Sequence, residues 1–137
     1  MSLPFMHTYF SPDSSSEFAT RERCHIHELM NDPTVAKLSV ARCRVEPGVT
    51  TELHSLRETS EVYVVLIGIG LMSDGRDAGR RIAAMDCVHI PAGYPQQITN
   101  TGDEDLIFLA ICSDRFKPEC YCAHEEPGRQ EPVYQRQ

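Results

Sequence analysis

His54 and Glu61 are the side chains in this sequence whose types and spacing best suit chemistry inside a pocket. An imidazole takes up a proton near neutral pH, and a carboxylate beside it either shares in proton transfer or joins it in holding a metal ion. Gln96, further along, adds an amide whose carbonyl is a weaker oxygen donor. His54, Glu61 and Gln96 together equal in number the two imidazoles and one carboxylate that hold a divalent transition metal such as Fe, Mn, Ni or Zn, but they are poorer in imidazole. A metal held there would be a Lewis acid or oxygen-activating centre with open positions. Without a metal, the same pair either moves a proton, with His54 as base, or simply hydrogen-bonds within a metal-free pocket. Both readings stay open at this stage.

Two further clusters carry ligand-type atoms. His25-Ile26-His27 places both rings on one face of a predicted strand, where they either reach the pocket or lie at a rim or subunit contact. Cys120-Tyr121-Cys122-Ala123-His124 has soft ligands but no second Cys/His group at zinc-finger spacing. His89 alternates against Val88 and Ile90 and is expected to face solvent. Arg42 and Arg44 share a strand face and are expected on an outer surface.

The elements that must position these groups are short. Strands are predicted over 24–30, 37–45, 52–56, 61–69, 80–84, 87–90, 96–100 and 106–113, from β-branched content and bounding turn residues. Asp74-Gly75 suits a hairpin turn, and Pro91-Ala92-Gly93 breaks the chain. No stretch has convincing helical periodicity, so the class is all-β, a sandwich or barrel. Alternation places His54 with Leu56, then Glu61 with Tyr63, Val65 and Ile67, then Gln96 with Ile98 and Asn100, each set on one face.

The spacing of these residues resembles the two paired motifs of the cupin superfamily. The first motif is Gly, five residues, His-x-His, three or four residues, Glu, six residues, Gly; Gly48, His54, Glu61 and Gly68 fall on it, with Leu56 at the second His. The second is Gly, five residues, Pro-x-Gly, two residues, His, three residues, Asn; Pro91, Gly93 and Asn100 match, with Met85 at the opening Gly and Gln96 at the His. The resemblance covers roughly residues 38 to 113. It implies a jelly-roll β-barrel (double-stranded β-helix) whose motif strands are neighbours and whose His and Glu positions project inward. It also implies a homodimer, and a mouth lined by Leu56, Tyr63, Val65 and Ile98 around His54, Glu61 and Gln96, the usual make-up of a small-molecule site. In that family three His and one Glu hold a divalent metal; this chain keeps two of the four.

The 137 residues fit one domain, read as an arm over residues 1 to 20, a barrel over 21 to 116 and a polar tail over 117 to 137. A formal net charge of −7 disfavours nucleic acid and anionic membrane as partners. No apolar run approaches the roughly 20 residues that span a bilayer, and the first residues lack a signal-peptide pattern, so a cytoplasmic protein is expected. Six cysteines are then expected as reduced thiols, with Cys24, Cys43, Cys87 and Cys112 as small buried hydrophobes. Three functions follow: a metal-assisted oxidation, isomerisation or cyclisation of a small partly apolar or aromatic compound; a binding or sensing barrel without turnover; or a barrel that mainly dimerises.

Overall fold

A computed structural model describes residues 6–125 and the backbone of Tyr134 and Gln135. Twelve strands are described: β1 (Phe18–Thr20), β2 (His25–Met30), β3 (Ser39–Val45), β4 (His54–Leu56), β5 (Ser60–Ile67), β6 (Ile69–Ser73), β7 (Arg80–Ala83), β8 (Cys87–Ile90), β9 (Gln97–Asn100), β10 (Leu106–Ser113), β11 (Tyr121–Ala123) and β12 (Tyr134–Gln135). The expected all-β class is what forms. Short 3-10 turns at Ser14–Ser16 and Pro118–Cys120 are the helical elements among the described residues.

One sheet has seven strands in the order β12-β1-β2-β3-β10-β5-β8, and its described pairings are antiparallel. Facing it are β7-β6-β9 and the pair β11-β4. Single bridges Thr50↔Thr99 and His54↔Gln96 stitch these two pieces into one opposing layer. From β3 to β11 the chain crosses between the layers at each connection except β6 to β7, as in a jelly roll. The core between the layers is built from Val45, Val65, Ile98, Leu106 and Phe108.

Alternation predicts the buried face of β5 up to Val65 and then fails. Glu61, Tyr63 and Val65 are buried, yet Ile67, expected on the same face, is 47% exposed. The register against β10 shifts there: Phe108 pairs with Val65 and Ile107 with Ile67, leaving Leu66 as the extra residue of a bulge. One inserted residue turns the following side chains over. Gly68 then adopts φ +94 and ends the strand, so 61–69 is not one strand, and Ile69–Ser73 begins a new one in the other layer. A Cβ at Gly68 would lie 3.0 Å from the Asp105 carbonyl oxygen, which is why this turn takes glycine.

The ends also differ from expectation. Phe18–Thr20, assigned to the arm, pairs with β2, and Tyr121–Ala123, assigned to the polar tail, pairs with β4. Tyr121 is 1% exposed and packs with Leu56 and Cys112 in a second apolar cluster. Its alternating apolar neighbours Tyr121 and Ala123 were the available signal, masked by the surrounding polar composition. The remainder of the predicted tail, apart from the backbone of β12, lies outside the described residues.

Candidate functional site

The backbone of β4 carries His54 inward, and its ring is held on three sides. Nδ1 donates to the Glu52 carbonyl at 2.9 Å, because a carbonyl only accepts; this fixes the proton on Nδ1. The ring stacks on Tyr121 with centroids 4.6 Å apart and 14° between planes. Glu22 stands 4.0 Å from Nδ1. Nε2 is left with no hydrogen-bond partner among the described residues, yet it is not sealed from solvent-sized space. His54 as a whole is only 5% exposed.

Glu61 enters from β5 and is 7% exposed. Its Oε1 accepts from Gln96 Nε2 at 2.8 Å, and its Oε2 accepts from the Cys112 thiol at 3.4 Å. Gln96, on the other layer, accepts in turn from the Tyr63 hydroxyl through Oε1. Burial lifts the Glu61 carboxyl above its ordinary value, against the lowering effects of nearby His54, Gln96 and Cys112. Burial also pushes the Tyr63 phenol well up and holds Cys112 as a thiol, so both stay protonated donors at neutral pH.

Beside His54 sits a second polar group absent from the sequence reading. The Tyr121 hydroxyl lies 2.6 Å from Glu52 Oε1 and 3.3 Å from Glu22 Oε2, with a single proton to offer the two carboxylates. All three residues are buried. Nothing in the spacing of Glu22 and Glu52 distinguishes them from surface acids; the fold alone makes them neighbours.

These groups border a cavity of about 70 Å³. At about 10–15 Å³ per water by the same measure, it holds several waters or one small molecule. His54, Glu61, Leu56 and Tyr63 line it. Gln96 sits behind Glu61 at 1% exposure rather than on the cavity surface. Val65 and Ile98, expected at the mouth, are instead in the closed core, because the two layers meet directly there. The walls come from strands on the other side: Ile26 from β2, Ala41 and Cys43 from β3, Phe108 and Ala110 from β10.

The remaining candidates fall outside the cavity. Ile26 points in, so His25 and His27 point out: His25 approaches Glu46 at 3.6 Å, and His27 is buried with Nε2 unpaired. Cys122 accepts from Arg57 at 2.8 Å and His124 bonds Ser55 at 2.9 Å, each side chain engaged separately. Arg42 and Arg44 pair with Glu17 on the outside of the sheet, and His89 is exposed. All six cysteines are free, and Cys24, Cys43 and Cys112 are buried, but Cys87, expected inside, is exposed at the start of an edge strand.

The donor set does not fit the family's metal centre. Leu56 replaces one imidazole, Gln96 turns its amide NH₂ to Glu61 and its carbonyl to Tyr63, and both Glu61 oxygens already accept hydrogen bonds. His54 Nε2 is the one ligand atom of the set with nothing bound to it. No group of three or more His, Cys, Asp or Glu side chains among the described residues converges as a metal site.

The family model for the Cupin domain matches residues 41–112, just over half of the chain. The chain is a cupin. This cupin is 38% identical over 72 residues to an oxalate-binding protein of Thermotoga maritima, covering 52% of the chain and 58% of that protein. It is 28% identical over 116 residues to an oxalate decarboxylase of Bacillus subtilis, covering 82% of the chain but 30% of the enzyme. The chain therefore spans less than two thirds of either relative. Among solved structures, a Cupin 2 conserved barrel protein of Salinispora arenicola superposes with TM-score 0.64 at 26% identity, covering 77% of this chain and 88% of that one. A structure from Halomonas has TM-score 0.68 at 13% identity, covering 80% and 96%, and supports the barrel fold alone.

Proposed function

We propose that this cupin binds a small, partly apolar molecule in the cavity between its layers, and that His54 and Glu61 act on it as proton acceptor and proton donor without a metal ion. The observation that carries this reading is the His54 ring itself. Its tautomer is locked by Glu52, and Nε2 has no described partner at the edge of an apolar-walled cavity. With Nδ1 donating to Glu52, Nε2 is the ring nitrogen placed to take up a proton, and a buried carboxyl with raised proton affinity is its natural counterpart. Such a pair suits isomerisation or cyclisation, in which a proton leaves one atom and returns at another. The similarity to an oxalate-binding protein supports a small-molecule ligand.

The metal-dependent reading rests on a different observation, the similarity to an oxalate decarboxylase together with the retention of His54 and Glu61. Elemental analysis of untagged protein separates the two. The metal-free reading expects substoichiometric metal that is unchanged in His54→Ala and Glu61→Ala. Stoichiometric metal lost in both variants would reverse the conclusion. We also propose that the chain forms a homodimer and works in the cytoplasm; no helix of the described residues is long and apolar enough to cross a membrane.

A further inference from the structure

One end of the cavity is closed less completely than the rest. Cys24, Cys43 and Phe108 are buried, whereas Glu28, Asn31, Val40 and Phe116 line the same space and are partly exposed. Cys24 and Glu28 stand about 13 Å apart along an extended chain, so the exposure belongs to one end. Solvent therefore meets the cavity at the rim formed by the end of β2, the start of β3 and residues 114–117 after β10. Cys112 and Glu61 lie just inside this rim, because Ser39 pairs with Cys112 across one strand boundary and Cys112 with Glu61 across the next.

Phe116 covers the rim. Its side chain packs against the cluster of Leu56, Cys112 and Tyr121. Its backbone is tied on both sides: the N–H donates to Ser39 Oγ at 2.8 Å, and the carbonyl accepts from Asn31 Nδ2 at 2.9 Å. Asn31 also donates to Glu28 at 2.7 Å and accepts from Arg115 at 2.9 Å, so one amide fastens the segment to β2 through both of its ends. A side chain anchored this way is a fixed obstruction and not a loose flap. The space behind it agrees. Its volume of about 70 Å³ is half of the roughly 150 Å³ in an apolar cavity that takes up benzene. An open-chain molecule fits beside His54, and a six-membered ring does not unless Phe116 gives way.

We propose that Phe116 is the specificity-determining residue of this site: it narrows the entrance so that slender, open-chain molecules reach His54 and Glu61 while ring compounds are turned away. Asn31 is the positioning residue that holds Phe116 there. This rests on the reading of the cavity as a ligand site and specifies the shape of its ligand.

Cys112, a free thiol behind Phe116, reports passage, and the exposed Cys87 is an internal reference. The test treats the purified full chain with methylmercury chloride or phenylmercury acetate and follows labelling of each cysteine by peptide mass spectrometry. Methylmercury is expected to reach Cys112 past Phe116. Phenylmercury must first release both backbone ties of Phe116, so its rate at Cys112, relative to Cys87, is lower by about 30-fold, the weight of two net hydrogen bonds. Asn31→Asp keeps the acceptor for Arg115 but loses the donor to Phe116, and it raises the phenylmercury rate about fivefold, the weight of one. Phe116→Ala brings the two reagents to similar rates. Methylmercury labelling stays at the wild-type rate in both variants, which separates a widened entrance from a loosened fold, since general destabilisation speeds both reagents alike. Equal wild-type rates for the two reagents, variants that speed both alike or neither, or no labelling of Cys112 in any form overturns the assignment. The test uses neither a ligand nor His54, so its failure moves the entrance and leaves the metal-free proton-transfer reading standing. That reading fails separately, by stoichiometric metal that is lost in His54→Ala and Glu61→Ala.

Discussion

Glu61 is a carboxyl whose surroundings disagree about its charge. Burial, the larger influence, favours the neutral acid, while His54, Gln96 and Cys112 favour the anion. The balance raises its affinity for a proton above that of an unfolded chain, whose value is about 4.3. The folded state therefore binds the proton more tightly, and the stabilisation this gives is complete below the unfolded value and lost as pH rises through the folded one. Glu61→Gln removes that dependence while keeping the acceptor for Gln96. Thermal melts across pH 4 to 8 should show the variant gaining on the wild type as pH rises; a constant gap would mean that Glu61 does not titrate in this way. The sequence made Glu61 and His54 legible because motif spacing fixes them on facing strands. It misled about Gln96, since spacing says where an amide sits but not which end it turns to its neighbours. Met85 shows a related limit: it stands where the family motif has Gly and keeps φ +77, a left-handed backbone that a side chain tolerates here by remaining 83% exposed.

The element with the greatest leverage on the site is β11. Through Tyr121 it walls the cavity, stacks on His54 and supplies the hydroxyl between Glu22 and Glu52. Tyr121→Phe keeps the stack but strips a donor from buried carboxylates, a loss of about 1–3 kcal/mol. Tyr121→Ala removes the packing as well, and large-to-small changes of buried aromatics cost about 3–5 kcal/mol. Urea unfolding should rank the two in that order, and a cost for Tyr121→Ala indistinguishable from zero would show that β11 is not part of the folded unit. Composition hid this strand because only two buried positions, Tyr121 and Ala123, sit inside a polar run, and pairing with β4 is a non-local event that no local window contains. The bulge at Leu66 is the same kind of blind spot: period-two alternation reads Glu61, Tyr63 and Val65 correctly, and one extra residue then reverses Ile67. By contrast, β8 and β10 run as predicted, since turn residues bound both of them cleanly.

For the whole molecule, the two-layer barrel followed from many short strands between turn signals, with the motif spacing fixing which of them are neighbours. What the chain does with its surface is a separate matter. Leu66, Ile67, Ile69 and Met85 leave apolar area around the turn between β5 and β6, the kind of surface that a second copy would cover. Light scattering at micromolar concentration should return twice the 15.4 kDa chain mass if the homodimer forms; a mass that stays at one chain rules it out. The free thiols also divide by position, with Cys87 open to reagents and Cys24, Cys43 and Cys112 enclosed.

The stacking of Tyr121 on His54 has an optical corollary. The chain has no tryptophan and five tyrosines, of which Tyr63 and Tyr121 border the cavity. Intrinsic ultraviolet emission therefore arises from very few fluorophores, and one of them lies flat against the imidazole. Charging that ring, or seating a guest beside it, alters quenching of the phenol directly, so occupancy of the barrel can be followed without any attached dye.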